Sequence, residues 1–337
     1  MSLTARRREM AATGYGASEV GTICGLNPWS SQIRLYEERV HGRQRDEAGL
    51  AAELGLLLEQ PLAKKFSDDT GLHLAKCATL RHQSQSHSLA IATPDRIAFG
   101  ARRETRASIH EVSECAEAEA NVQIKTASMW GRKEWGEPGT DAVPPAYLAQ
   151  VQWEMAVTGL RKTYVPVLFD RAEWAVFEVG FDVELFERIY GMVERFHVDH
   201  VLAQVPPAPD ASEHYRDFLF GRFGLSQSKA LKAVEPGSAA EKRVMQYREL
   251  KRLEGYVDTE LKRLGSELRG AIGDDGGLSG PWGKLTWLRA PGKSHTDWEA
   301  LARGALAAEQ LSGLVPHYQR ERAPYDQLRA KFTNEEE

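Results

Sequence analysis

Residues 93–99 read TPDRIAF and residues 121–128 read NVQIKTAS. Each is a short apolar run bounded by polar sequence, the pattern of a β-strand. Asp95 stands at the end of the first strand. On the second, Gln123 and Lys125 are two residues apart and therefore face the same side of a sheet, while Ile124 points the other way, into a core. The two strands together read P-D followed by Q-x-K. An acid in the place of Gln123 would complete a two-strand cation site, so the amide is the feature to explain.

Outward from this pair, the chain alternates helices and strands. Residues 13–42 begin with a glycine-rich turn; Ser18 is expected to cap a short helix from Glu19 that Gly25 and Asn27-Pro28 end. A second helix follows from Ser31, with Ile33, Leu35 and Tyr36 apolar. In 47–70, Leu50, Leu54, Leu57, Leu58, Leu62 and Phe66 recur at helical spacing, and Gly71 stops the helix. The charged segment between the two strands reads as a hairpin loop with some strand. Pro144-Pro145 opens a helix that Gly159 ends. KTYVPVLF and WAVFEVGF pair around Asp170-Arg171, and a helix over 183–203 leads to the linker VPPAPD. The order gives an α/β sandwich with a mixed sheet.

The C-terminal third has a different pattern. Val244, Tyr247, Leu250, Leu253, Val257, Leu261, Leu264, Leu268 and Ile272 form one stripe on a long helix, as in a coiled-coil arm or helical hairpin. After GDDGG, residues 280–298 read as a small β-hairpin bearing Trp282, Trp287 and Trp298, whose rings are expected in the hairpin core rather than stacked on bases. The tail reads as helical, ending in an acidic NEEE. The expected division is a core over 1–205 and an extension over 206–337.

The 337 residues are 42% hydrophobic and 27% charged, with a formal net charge of -5, which argues against a non-specific nucleic-acid coat but not against local basic groups. Cys24, Cys77 and Cys115 lie far apart with no C-x-x-C pair, so zinc and iron–sulfur sites are not expected and a reducing cytoplasm is. No signal-peptide pattern opens the sequence, and no run of roughly 18 apolar residues suggests a membrane span.

Phosphodiester hydrolysis needs a nucleophilic water, a stabilised phosphoryl charge and a helped leaving group, all of which Mg²⁺ can supply. Mg²⁺ takes hard oxygen ligands. The residues that offer them are Asp95, Gln123 and Glu59, with Lys125 as the cation near the attacking water. Gln150 and Gln152 project about 200° apart on their helix, so at most one faces a cleft. Arg102-Arg103 and Arg132-Lys133 are either phosphate contacts or a solvated face.

Four motifs in order, Gly55 to Glu59 (G-x-x-x-E), Pro94-Asp95, Gln123 to Lys125 and Tyr147 to Gln152 (Y-x-x-Q-x-Q), resemble the YqaJ-type viral recombinases, relatives of the phage lambda exonuclease in the PD-(D/E)XK nuclease superfamily. GASEVGTICGLNPW is similar to that family's first helix, and AYLAQVQWEMAVTG to its helix after the site. The likeness covers roughly residues 13–203; the arm and PWGKLTW resemble an extension that some phage relatives carry. The resemblance implies a restriction-endonuclease-like fold. It implies that Asp95 binds both metals, Glu59 holds the second ion and Gln123 takes the acid's place. Ile124 lends its backbone carbonyl, Lys125 orients or activates the water, Gln150 positions the lysine or the water, and Tyr147 lines the site. Ser18 lies near the 5′-phosphate. The family's upstream arginine has no counterpart, since Ala11 stands there, and Arg8, with Arg6 and Arg7, is the substitute.

The function this implies is a Mg²⁺-dependent DNA exonuclease, with Mn²⁺ able to substitute, that resects linear double-stranded DNA from the 5′ end and leaves single strands for an annealing protein. It implies a ring-shaped homo-oligomer in the cytoplasm of a bacterial host. Gln123 leaves three alternatives: an active Q-x-K enzyme, as some members of the superfamily are; a glutamine introduced for glutamate to trap a complex; and a catalytically weakened or dead DNA-binding protein. An endonuclease of the same superfamily is a further alternative; a Cas4-like nuclease would need a four-cysteine cluster.

Overall fold

The apolar residues of the sheet alternate so cleanly that they assign both of its faces. Val122, Ile124, Ala98, Leu74, Tyr164, Leu168 and Val176 pack with Leu62, Ala63 and Phe66 of one helix. Ile97, Ala75 and Phe99 pack with Trp153 and Val157 of another, as Val165, Val167, Ala175, Phe177 and Val179 pack with Val151 and Met155. This period-2 pattern is that of a sheet covered on both sides by helices.

The computed structural model describes residues 10, 12–43, 49–100, 107–170, 173–224, 231–281 and 283–287, which form two units that divide after Gly224. The first unit begins with β1 (Tyr15–Gly16), α1 (Ala17–Ile23), α2 (Gln32–His41), α3 (Leu50–Thr70), β2 (His73–Cys77), β3 (Leu80–Arg81), β4 (Ala90–Ala92) and β5 (Arg96–Phe99). It continues with β6 (Ser108–Ile109), β7 (Ala120–Val122), β8 (Lys125–Ala127), α4 (Pro145–Thr158), β9 (Lys162–Phe169), β10 (Glu173–Gly180), α5 (Val183–Phe196) and α6 (Glu213–Phe223). The large sheet has the order β10-β9-β7-β5-β2-β6, with β8 also on β9; a small sheet has the order β1-β4-β3. β7 and β8 are one extended segment. Asn121 faces Thr163 and Lys125 faces Val167 in the same parallel register, and Gln123 N–H donates to Tyr164 O at 2.9 Å across the break.

Local sequence explains the element ends. Gly71 and Gly159 close α3 and α4 in the left-handed region, at φ 70° and 76°, where a Cβ is disfavoured. Pro144 and Pro145 open α4. Trp153 of α4 is fully buried, and its indole N–H donates to both Tyr15 O and Ile91 O at 3.1 Å. One side chain thus ties α4 to the β1–β4 pair.

Four expectations need correction. α1 starts at Ala17, and Ser18 is not its cap; the Glu19 carboxylate accepts from Gly16 N–H at 2.7 Å instead. Of the leucine stripe on α3, Leu62 is buried and Phe66 wholly so, and Leu58 packs beside them, but Leu50, Leu54 and Leu57 are exposed. In the second unit, helix α7 (Ala239–Ile272) is followed by β11 (Gly277–Gly280) and β12 (Gly283–Thr286). That hairpin is earlier and shorter than 280–298, and Trp287 is 48% exposed rather than core. Trp282, Trp298 and the tail lie outside the described residues. Lastly, Arg132 is part of the fold: it pairs with Glu173 at 2.8 Å and donates to Trp135 O and Gly136 O. Arg102-Arg103 lie outside the described residues. The apolar stripe of α7 is exposed from Val244 to Leu268 apart from the half-buried Tyr247, and Ile272 alone is buried. Ion pairs one turn apart, such as Lys262 with Asp258 and Arg263 with Glu267, support that helix. No helix among the described residues is long and apolar enough to cross a membrane.

Replacing Trp153 by alanine removes both indole hydrogen bonds and empties the space under β4. We expect a loss of about 3–5 kcal/mol in urea unfolding of the full chain; a loss under about 1 kcal/mol would contradict this role for Trp153.

Candidate active site

The ladder between β5 and β7 has its last pair at Arg96 and Val122. Beyond it the two strands part, and the side chain of Asp95 takes over as partner: its Oδ2 accepts from Ile124 N–H at 2.8 Å. Asp95 N–H in turn faces Gln123 Oε1 at 3.4 Å. A backbone donor released by the ladder must find a partner, and here that partner is a carboxylate. The opening becomes a cavity of about 460 Å³. Asp95, Gln123 and Lys125 line it from the sheet, Gln150 and Glu154 from α4, and Ser18 from α1.

Lys125 is partly buried, and its ammonium donates to Gln150 Oε1 at 3.0 Å while lying 4.9 Å from the centre of the Tyr147 ring. Desolvation pushes the Lys125 pKa down, against the opposing pull of Asp95 and Glu154. Asp95 is held at about 6, above the ordinary aspartate, chiefly by burial, with Lys125 and the Ile124 N–H working to lower it. Tyr147 touches Lys125 but faces a neighbouring depression with Trp29 and Trp135.

The sequence-derived residues are thus divided. Asp95, Gln123, Lys125, Gln150 and Ser18 converge on one cavity. Ile124 donates its N–H there while its side chain packs under α3. Gln152 is buried and structural: it donates to Gly180 O and accepts from Asp182 N–H. Glu59 is set apart. It lies on α3, on the opposite face of the sheet, in an ion pair with the buried Arg96, whose guanidinium also bonds Asp95 O and Gln60 Oε1. Its charge is close enough to raise Asp95, but it does not line the cavity. Arg8 lies outside the described residues.

Two acids on the cavity wall escaped the motif reading. Glu19 is held by Arg39 at 2.7 Å. Glu154 is 1% exposed. Its Oε1 accepts from Gln150 Nε2 at 2.9 Å, its Oε2 has no hydrogen-bond partner among the described residues, and burial raises its carboxyl to about 8. The signal for Glu154 was a single acid in the apolar run Trp153–Val157, one turn after Gln150.

Among the described residues no three His, Cys, Asp or Glu side chains converge, so a cation here would have to use amide and backbone oxygens as well. The donors fit a hard divalent ion. They are all oxygens, and both Asp95 and Glu154 carry carboxyls raised by burial, which a nearby positive charge would return to the ionised form.

Residues 5–161 match the model of the YqaJ-like viral recombinase domain. The chain is 28% identical over 265 residues to the uncharacterized protein YqaJ of Bacillus subtilis (strain 168), covering 77% of this chain and 76% of the relative. Among solved structures it is similar to the alkaline exonuclease LHK-Exo from Laribacter hongkongensis, at 20% identity and a TM-score of 0.44, covering 59% of this chain and 94% of that one. It is also similar to a phage-related exonuclease from Haemophilus somnus 129PT, at 12% identity and a TM-score of 0.37, covering 57% and 96%.

Two outcomes follow from this geometry. Glu59→Gln leaves the buried Arg96 without its counter-charge and should cost about 1–3 kcal/mol in unfolding experiments without metal; unchanged stability would show that the pair contributes nothing. The folded Glu154 carboxyl keeps its proton to about pH 8, against 4.5 ordinarily, so its stability contribution is present below about pH 4.5 and lost as the pH rises through about 8. Metal-free Glu154→Gln should therefore gain melting temperature over the unaltered chain at about pH 9 but not at about pH 5. Equal differences at both pH values would contradict the shift.

Proposed function

We propose that this YqaJ-like chain is a divalent-metal-dependent deoxyribonuclease that degrades linear double-stranded DNA from its ends. The observation that carries the reading is the convergence of Asp95, Gln123 and Lys125 on one cavity, with Lys125 fixed by Gln150 at 3.0 Å. Asp95, Gln123 and the Ile124 carbonyl would hold the cation, which we take to be Mg²⁺. When bound, the ion supplies positive charge to the phosphoryl oxygens and acidifies water.

The chain's own groups do the rest. Gln150 fixes the Lys125 ammonium at the cavity wall, where it orients the attacking water and offsets charge on the phosphate. The Ile124 N–H holds one oxygen of Asp95 and so fixes the direction of its carboxylate. Glu59, paired with Arg96, acts on Asp95 through its charge; as holder of a second ion it would have to leave Arg96. Ser18 at the cavity rim offers a hydroxyl and Arg8 a guanidinium to a 5′-phosphate. The neutral Gln123 weakens the cation site relative to a carboxylate, yet Lys125 and Asp95 keep the geometry of a working site. Attack from the 5′ end, release of a single strand to an annealing protein, and a ring of subunits around DNA complete the reading. The likeness of residues 5–161 to the YqaJ-like viral recombinase domain supports these.

Digestion of linear and closed-circular duplex with Mg²⁺ or Mn²⁺ tests it. We expect the linear DNA to be consumed and the circle to persist, and Lys125→Ala to lower the rate at least about hundredfold. Cutting of the circle would mark an endonuclease. Silence of the chain together with Gln123→Glu would mark a DNA-binding protein. A mass measurement in solution should find an oligomer; a monomer at working concentration would rule out the ring.

A further inference from the structure

Glu154 is a buried acid that the roles above leave without a task. It stands in a stretch of α4 whose Trp153, Met155 and Val157 are all buried, where an uncharged side chain would be the cheaper choice. A chain of two hydrogen bonds joins it to Lys125: Glu154 Oε1 accepts from Gln150 at 2.9 Å, and Gln150 Oε1 accepts from Lys125 at 3.0 Å. Its other oxygen has no partner among the described residues, and the residue lines the cavity from the wall opposite the sheet. A buried oxygen left open in a polar cavity calls for a ligand or a functional account.

Position 123, across the cavity, supplies that account. A carboxylate there would give the site two negative charges beside one lysine; Gln123 leaves Asp95 alone on the strand. We propose that the second charge has moved across the cavity to Glu154 on α4, where it fixes Lys125 through Gln150 and supplies the negative potential that a divalent cation needs. With Glu154 ionised beside a bound cation, the summed charge equals that of an E-x-K site, with the acid on the helix instead of the strand. The inference deepens the nuclease reading and rests on it. Glu154 is a positioning residue, since it reaches Lys125 only through Gln150. Lys125 feels its charge, and it feels those of Lys125 and Asp95.

The test compares the unaltered chain with Glu154→Gln, Gln123→Glu and the double variant Gln123→Glu/Glu154→Gln. Mn²⁺ binding is read by calorimetric titration, and digestion of end-labelled linear duplex is read with Mg²⁺. Glu154→Gln is expected to weaken Mn²⁺ binding and to slow digestion by roughly ten- to hundredfold, and the double variant to regain most of both. A side chain with a merely structural role would not be rescued by a charge on the opposite wall. The proposal is overturned if Glu154→Gln binds Mn²⁺ as the unaltered chain does, if the double variant stays as weak as the single one, or if the unaltered chain binds no Mn²⁺. Should Glu154→Gln fail to fold, the double variant decides: binding restored supports the relocation, and binding absent or the double variant unfolded overturns it. If Mn²⁺ binding follows Glu154 but no variant cuts DNA, the nuclease reading fails and the charge relocation stands. If the chain cuts and ignores Glu154, the reverse holds.

Discussion

The bond from Ile124 N–H to the carboxylate of Asp95 is the constraint on which the site depends. β5 and β7 pair as far as Arg96 and Val122 and then separate, and separation exposes backbone donors that a sheet would otherwise satisfy. Asp95 satisfies one of them with its side chain. The same bond fixes the aspartate's direction and keeps Gln123 and Lys125 at its side. The parallel register of β7 and β8 on β9 carries straight through the opening, so the neighbouring strand holds the lysine at its height while the other strand bends away. A strand pair that stayed closed would leave no cavity.

The charges around the opening are arranged by face. On the α3 side, Arg96 is buried and neutralised by Glu59, which stiffens the strand end that carries Asp95. On the α4 side, Lys125 stands between Asp95 and Glu154, each raised in pKa by burial. One cation between two partly protonated acids leaves room for further positive charge, which is what a metal-dependent phosphodiester site requires. The chain's net charge of -5 is therefore compatible with an anionic substrate, because the local balance and not the total governs the cleft.

Much of this was legible in the sequence because its causes are local. Period-2 alternation in 121–128 placed Ile124 under α3 and Lys125 on the other side, and Gly71, Gly159 and Pro144-Pro145 bounded their helices through backbone geometry alone. What was not legible depends on distant partners. Helical spacing marked Leu50, Leu54 and Leu57 as apolar but could not tell that they stay exposed while Leu58, Leu62 and Phe66 meet the sheet. Glu59 reads as a ligand in its motif, yet Arg96, which motif order does not single out, engages it across 37 positions of sequence. Ser18 is a good capping residue, but the helix begins one residue before it, at Ala17, where Glu19 holds the Gly16 N–H. The tryptophans after GDDGG suggested a core that two strands of four residues cannot build. Glu154 was visible only as an acid in an apolar run, and its meaning required knowing that Gln150 and Lys125 meet.

The cavity between β5, β8 and α4 is the place proposed for the reactive cation. The most direct measurement is an anomalous-scattering map from crystals of the full chain grown with Mn²⁺. The account predicts a peak within coordination distance of the Asp95 carboxylate and the Gln123 amide oxygen. A peak confined to other acids, with Asp95 and Gln123 unliganded at saturating Mn²⁺, would contradict it.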